Sequence, residues 1–130
     1  MFTGAIVFGS CRYKVADLSA AKEFYSKCFG VKPYFEEPTW VVFQIHDYQL
    51  WLEPDNLTGE SVYEATNYFY KASKREGLIF WAVEDVYETC KRFQELGGTI
   101  FKAPKKTGSF IDAIVNDLWS NKLGLHSNAF

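Results

Sequence analysis

The stretch Ser10-Cys11-Arg12-Tyr13-Lys14-Val15-Ala16-Asp17-Leu18, which runs on to Gly30, decides the fold. It predicts a strand that ends near Asp17 and is followed by a helix over residues 18–29. Asp17 suits the N-cap because its carboxylate can accept hydrogen bonds from the unpaired amides of the first turn. Gly30 suits the end of the helix. Apolar residues recur between them at helical spacing, at Leu18, Ala21, Tyr25 and Cys28.

The same pattern occurs a second time, centred on Asp85. A predicted strand over 78–83 precedes this aspartate, and Glu88 three residues on completes a capping-box pattern. The apolar stripe of the second helix is Val86, Cys90, Phe93 and Leu96, and Gly97-Gly98 ends it. The chain is therefore predicted to be a tandem repeat.

Each repeat continues with three further strands, so the sequence predicts two βαβββ modules in an α+β domain of mainly antiparallel strand pairs. A single domain spans residues 1–130, with module 1 over about 4–54, a linker over 55–77 and module 2 over about 78–127. A short helix is predicted inside the linker, over 62–71. The strands are predicted over 4–15, 31–37, 40–45, 48–53, 78–83, 99–103, 109–115 and 121–127.

Composition excludes several classes of protein. A net charge of −2 without a basic stripe argues against nucleic-acid binding. No apolar run is long enough to span a membrane, and the N-terminus lacks the pattern of a signal peptide. Three cysteines at wide spacing, Cys11, Cys28 and Cys90, favour buried free thiols, which suits a cytoplasmic protein. Aromatic residues make up 18% of the chain, which indicates an aromatic-lined cavity or interface.

Three motifs in this order resemble the glyoxalase, bleomycin-resistance and extradiol-dioxygenase superfamily, the vicinal oxygen chelate fold. They are Val15-Ala16-Asp17-Leu18 with Phe24-Tyr25, the stretch from Gly77 to Asp85, and the stretch from Val115 to Leu123. The last departs from the superfamily's Asp-Pro-Asp-Gly turn and keeps only Asp117. The resemblance implies two modules whose mixed sheets curl around a cleft that binds a small molecule. It also implies a homodimer, domain-swapped or side by side.

Metal-using relatives place four ligands in that cleft, and the resemblance puts those positions at Ser10, Glu53, Leu78 and Gly124. Only Glu53 is a good ligand for a divalent metal, so we expect neither a metal nor another cofactor. A displaced metal site made of His46, Glu53 and His126 is the alternative.

The lining of the cleft follows from strand alternation, which puts Ser10, Arg12 and Lys14 on one side of the first strand. Arg12 or Lys14 could hold an anionic or carbonyl group of a ligand. Alternatively, they lie on a surface-facing strand edge or pair with Glu53. Aromatic walls are expected from Trp40, Trp51 and Phe80, unless these rings are ordinary core, and Asp112 is a further candidate. The predicted ligand-binding residues are thus Arg12, Lys14, Trp40, Trp51, Glu53, Phe80 and Asp112.

Three functions are compatible with these residues. The first, which we favour, is a metal-free protein that sequesters an aromatic or cationic organic ligand, as bleomycin-resistance members do. The second is a lyase, isomerase or dioxygenase of the same superfamily, with a displaced metal or with Glu53 as general base, its pKa raised by burial beside Trp51 and Phe80. The third is a protein-binding role for the aromatic segment 62–70.

Overall fold

The computed structural model describes residues 9–54 and 78–128, and its elements confirm a duplicated α+β fold. In module 1 they are β1 (Gly9–Val15), α1 (Leu18–Phe29), β2 (Phe35–Glu37), β3 (Trp40–Ile45) and β4 (Tyr48–Pro54). In module 2 they are β5 (Phe80–Ala82), α2 (Val86–Glu95), β6 (Thr99–Thr107), β7 (Phe110–Asn116) and β8 (Lys122–Asn128). The predicted linker, its helix and the first residues of the predicted strand 4–15 lie outside the described residues.

Each module contributes one four-stranded mixed sheet. Sheet 1 has the order β1-β4-β3-β2, and sheet 2 has the equivalent order β5-β8-β7-β6. In both sheets the first strand pairs in parallel with the last, and the remaining pairs are antiparallel. The expectation of mainly antiparallel pairing therefore holds for two of the three strand pairs in each sheet.

The helix caps are formed by the residues that the sequence indicates. The Asp17 carboxylate accepts a hydrogen bond from the Ala20 amide at 3.0 Å, and the Asp85 carboxylate accepts one from the Glu88 amide at 3.2 Å. Gly30 ends α1 in the left-handed region, at a φ of 67°. Local chemistry alone thus sets where α1 begins and ends and where α2 begins.

Three strands differ from their predicted bounds by more than one residue among the described residues. Strand β2 begins at Phe35 rather than at residue 31, because the Val31 amide is used by Ser26 O and Pro33 has no amide hydrogen. Strand β5 is shortened to residues 80–82. Strand β6 runs on to Thr107 through Pro104, which is tolerated because β6 is an edge strand with register shifts around that position.

Both modules contribute to one hydrophobic core. Side chains on the helix-facing side of β1 enter it, as predicted for Cys11, Tyr13 and Val15. Trp81 of β5 enters it from module 2, where its Nε1 donates to the Tyr13 hydroxyl at 3.0 Å. The two helices meet at Phe24 and Phe93, whose ring centroids are 5.3 Å apart in an edge-on arrangement. We call the opposite side of each sheet, away from its helix, the inner face.

The three cysteines are buried free thiols, as predicted. Burial raises the pKa of Cys11 to about 11, so its thiol stays protonated and unreactive at neutral pH. No helix among residues 9–54 and 78–128 is long and apolar enough to cross a membrane.

Candidate functional site: the inner faces of the two sheets

The inner face of sheet 1 holds most of the predicted ligand-binding residues. Strand register places Arg12 beside Trp51 and Lys14 beside Glu53. Trp40 also contacts Trp51, with ring centroids 6.0 Å apart. Sequence alternation therefore brings these five residues to one surface, as predicted.

The centre of this face is an ion pair between Arg12 and Glu53. The guanidinium Nη1 lies 2.7 Å from the Glu53 Oε2, and the two side chains are only 3% and 2% exposed. Trp51 completes the group because the Arg12 guanidinium carbon lies 4.2 Å from its ring centroid, in a cation–π contact. We call these three residues the charged cluster. The sequence left Arg12 to contact a ligand, to lie on a surface edge or to pair with Glu53. The structure shows the pair with Glu53.

Glutamines extend the polar network beyond the charged cluster. Trp51 Nε1 donates to the Gln49 side-chain oxygen at 3.1 Å, and Gln49 Nε2 donates to the Gln44 oxygen at 3.3 Å. Within the described part of the chain, the buried Trp40 Nε1 has no hydrogen-bond partner. The hydrogen bond from Trp51 to Gln49 fixes the orientation of the Trp51 ring, which forms a wall of this face.

The inner face of sheet 2 has a different character. It exposes three phenylalanine rings, which we call the aromatic patch: Phe80 is 47% exposed, Phe101 54% and Phe110 44%. The Phe80 ring lies directly against Gly124, where an added Cβ would come within 2.5 Å of it. Glycine at 124 therefore allows this ring to lie flat on the strand. Phe80 is not part of the core, so the interpretation of this ring as core packing is wrong.

Asp112 also lies on this face, and its neighbour is His126. The two are register partners on β7 and β8, and the Asp112 Oδ1 lies 2.7 Å from the His126 Nδ1. Both side chains are partly exposed. The sequence predicts Asp112 as a site residue but does not predict this pairing.

The four superfamily ligand positions, all of them among the described residues, do not fit a divalent metal. Leu78 and Gly124 carry no donor atoms, and the Glu53 carboxylate is engaged by a guanidinium, which repels a metal cation. The displaced set is not assembled either, because His46 lies in the turn before β4 and Glu53 lies near the far end of that strand. The part of β4 from Tyr48 to Glu53 alone spans about 16 Å at the rise of a strand. The described ranges contain no group of three or more histidine, cysteine, aspartate or glutamate residues that could hold a metal ion.

A general-base role for Glu53 is not favoured by this geometry. Its Oε2 already accepts a charge-assisted hydrogen bond from Arg12, so this oxygen is not available to take a proton from a substrate. Phe80, the expected second wall beside Glu53, lies instead against Gly124 in sheet 2.

Sequence reasoning did not find the role of Asp117. This buried residue accepts a hydrogen bond from the Tyr25 hydroxyl at 2.6 Å, from one module to the other. It also accepts bonds from the amides of Trp119 and Asn121, while the Asn121 side chain reaches the Lys14 carbonyl. The only signal was that Asp117 alone remains of the expected turn motif.

The equivalent turn of module 1 is shorter and leaves a cavity beside it. The β3–β4 turn has two residues, His46 and Asp47, whereas the β7–β8 turn has five, residues 117–121. A cavity of about 540 Å³ remains beside the shorter turn. Its walls come from the end of α1, this turn and the start of α2, so it contains none of the predicted ligand-binding residues. Its charged walls are Glu84, Asp85, Glu88 and Arg92.

Comparison with known proteins identifies the family to which the chain belongs. Residues 7–117 match the family model of the glyoxalase/bleomycin resistance protein/dioxygenase superfamily. The chain belongs to this superfamily. The match covers most of the chain, so the resemblance read from the three motifs is confirmed. No curated protein matches the chain in sequence.

Several solved structures share the fold at low sequence identity. A glyoxalase/bleomycin resistance protein/dioxygenase family enzyme from Burkholderia phytofirmans PsJN is 18% identical, covering 94% of this chain and 98% of its own, with a TM-score of 0.66. TioX from Micromonospora sp. ML1 is 15% identical over 96% and 95% of the two chains, with a TM-score of 0.64. The fosfomycin resistance protein FosX from Mesorhizobium loti is 14% identical over 100% and 96%, with a TM-score of 0.61. At these identities the likeness concerns the fold alone.

Proposed function

We propose that this superfamily member is a metal-free binding protein of the glyoxalase/bleomycin-resistance type that sequesters an aromatic organic ligand. The observation that carries the proposal is the buried pair of Arg12 and Glu53 on the inner face of sheet 1. Glu53 is the one good metal donor among the four superfamily ligand positions, and the Arg12 guanidinium supplies the positive charge beside it. The face thus has its own fixed cation.

The chemistry of both inner faces supports an aromatic ligand. Trp51 and Trp40 form a ring wall in sheet 1, and the aromatic patch leaves three rings exposed in sheet 2. A cationic ligand, the other expectation, would find the charge of Glu53 already balanced by Arg12. The proposed ligand-binding residues are those predicted from the sequence: Arg12, Lys14, Trp40, Trp51, Glu53, Phe80 and Asp112.

Metal analysis of the purified protein tests the metal-free part of the proposal. The protein is prepared without added metal and then dialysed against zinc, nickel, iron and manganese in turn. We expect no stoichiometric metal before or after dialysis. One equivalent of any of these metals, lost in a Glu53→Gln variant, would overturn the proposal.

Thermal melting with planar aromatic compounds, bleomycin-type drugs among them, tests the binding part. We expect at least one compound to raise the melting temperature of the wild type, and a Trp51→Leu variant to lose that rise. Trp119→Phe is the matched control, because Trp119 packs on Phe24 outside the inner faces. A panel without any shift, or a shift that survives Trp51→Leu unchanged, would contradict the proposal.

The proposal includes a homodimer in the cytoplasm. The homodimer is the assembly that membership of the superfamily implies, and the free thiols favour a reducing compartment. Sedimentation or size-exclusion chromatography at micromolar concentration tests the dimer, and a monomer under these conditions would contradict it.

A further inference from the structure

The Asp112–His126 pair fixes the histidine in one orientation. A carboxylate can only accept hydrogen bonds, so the Nδ1 of His126, 2.7 Å from Asp112 Oδ1, must be the donor. In the neutral ring the proton therefore sits on Nδ1. The Nε2 atom is left as a hydrogen-bond acceptor.

This acceptor has no hydrogen-bond partner among residues 9–54 and 78–128, and its surroundings are aromatic. The Phe110 ring centroid lies 4.7 Å from that of the imidazole. Gly124 lies two residues from His126 on the same face of β8, and the Phe80 ring of β5 lies against it. An oriented acceptor therefore stands beside two exposed rings that offer a surface for another flat molecule.

The charges around this acceptor favour an oxygen over an ammonium group. Lys105 is the register partner of Asp112, and Lys102 is that of Ile114, so both lysines belong to the inner face of sheet 2. The Lys122 ammonium lies 4.4 Å from the Phe101 ring centroid on this face. Three lysines against one aspartate give a positive surface, which attracts electron-rich oxygens and repels cations.

We propose that the ligand of this protein is a hydroxy-aromatic compound whose hydroxyl donates a hydrogen bond to the Nε2 of His126. Its ring packs against Phe80 and Phe110. Asp112 is a positioning residue that holds the imidazole in the accepting tautomer. This inference rests on the proposed function, which requires an aromatic ligand but does not specify its polar group.

A pair of probes that differ in one hydrogen-bond donor tests the inference. 2-Naphthol carries a hydroxyl, and 2-methoxynaphthalene has the same ring system without the donor. Calorimetric titrations at about pH 8 give the dissociation constant of each probe. We expect the wild type to bind 2-naphthol about tenfold more tightly, the value of one good hydrogen bond.

Variants assign that preference to a residue. His126→Phe keeps a ring but removes the acceptor, so both probes should bind equally. Asp112→Ala should reduce the preference, because the imidazole loses its fixed tautomer. Asp112→Asn should restore it, because the amide oxygen still accepts from Nδ1. His46→Asn, a change of the other histidine at an exposed turn, is the matched control and should leave the preference intact.

The outcomes separate this inference from the proposed function. Equal binding of the two probes by the wild type, or a preference that persists in His126→Phe, would overturn the role of His126 and leave aromatic binding standing. Loss of the preference in His46→Asn would also overturn it, because the effect would then not be local. If neither probe binds to the wild type, both the inference and the proposed aromatic ligand fail.

Discussion

The two modules repeat one order of elements, but they place their buried carboxylates differently. In module 1, Glu53 lies on the inner face and is neutralised by Arg12 of its own sheet. In module 2, Asp117 lies in the β7–β8 turn and is held by Tyr25 of the other module. The duplicated scaffold therefore uses one carboxylate to shape a surface and the other to join its halves.

The charged cluster should give the largest effect. Arg12→Met leaves the Glu53 carboxylate buried without its partner, and we expect a loss of about 3–5 kcal/mol in the free energy of unfolding. The double variant Arg12→Met/Glu53→Leu should recover most of that loss, because an apolar pair of similar volume avoids the desolvation cost. Urea denaturation measures both. A single variant within 1 kcal/mol of the wild type, a value near that of a surface pair, would mean that the pair is not buried in solution.

The carboxylate that joins the modules should give the next largest effect. Asp117→Ala removes the partner of the buried Tyr25 hydroxyl and of two turn amides, and we expect a loss of about 2–3 kcal/mol. Tyr25→Phe removes the donor at the same bond and should cost about 1 kcal/mol. Denaturation followed by near-ultraviolet circular dichroism reports on the aromatic contacts between the modules. Equal losses in the two variants would show that the turn amides do not depend on Asp117.

Alkaline pH should weaken the contact between the modules. Burial, and then the charge of Asp117, raises the pKa of Tyr25 well above its ordinary value. Because the unfolded chain loses this proton first, the stabilisation is complete below about pH 10 and decreases as the pH rises toward the folded pKa, by about 1.4 kcal/mol per pH unit for one tyrosine. Urea denaturation between about pH 8 and pH 11 should give a shallower decrease for Tyr25→Phe than for the wild type. An identical decrease would exclude Tyr25 as the titrating group.

The glycine on the inner face of sheet 2 should give the smallest effect. Gly124→Ala forces the Phe80 ring off the strand, at a cost of about 1 kcal/mol, because this half-exposed ring can turn into solvent. In a Phe80→Ala background the same change should cost nothing. A double-mutant cycle of thermal unfolding measures this coupling. Additive effects of the two changes would contradict the contact.

Local sequence chemistry was enough to predict most of the fold. The caps at Asp17 and Asp85 and the left-handed Gly30 depend on groups within a few residues, so they are readable from the chain. Strand alternation likewise predicts that Arg12 and Glu53 share a face. The start of β2 at Phe35 and the end of β6 at Thr107 were missed. The first depends on the hydrogen bond from the Val31 amide to Ser26 O and the second on register shifts in β6, and neither is visible as a local pattern.

Such patterns do not predict contacts between modules or the pairing of side chains across neighbouring strands. The bond between Tyr25 and Asp117 joins residues far apart in the chain, and neither belongs to a recognisable pair motif. The pairing of His126 with Asp112 required the register of β7 and β8, which the uncertain turn between them left open. Spacing predicts which residues share a face, whereas register decides which residues touch.

The hydrogen bond between Trp81 and Tyr13 joins equivalent positions of two repeats that are not identical. The two residues are 68 positions apart, the same offset that separates Asp85 from Asp17, so they are equivalent positions of the two repeats. In a symmetric pair of identical modules, each such residue would face its own copy. Two tryptophans at that place would have two donors and no acceptor. Because both repeats belong to one chain, each can differ from the other, so a donor and an acceptor can complement each other at equivalent positions.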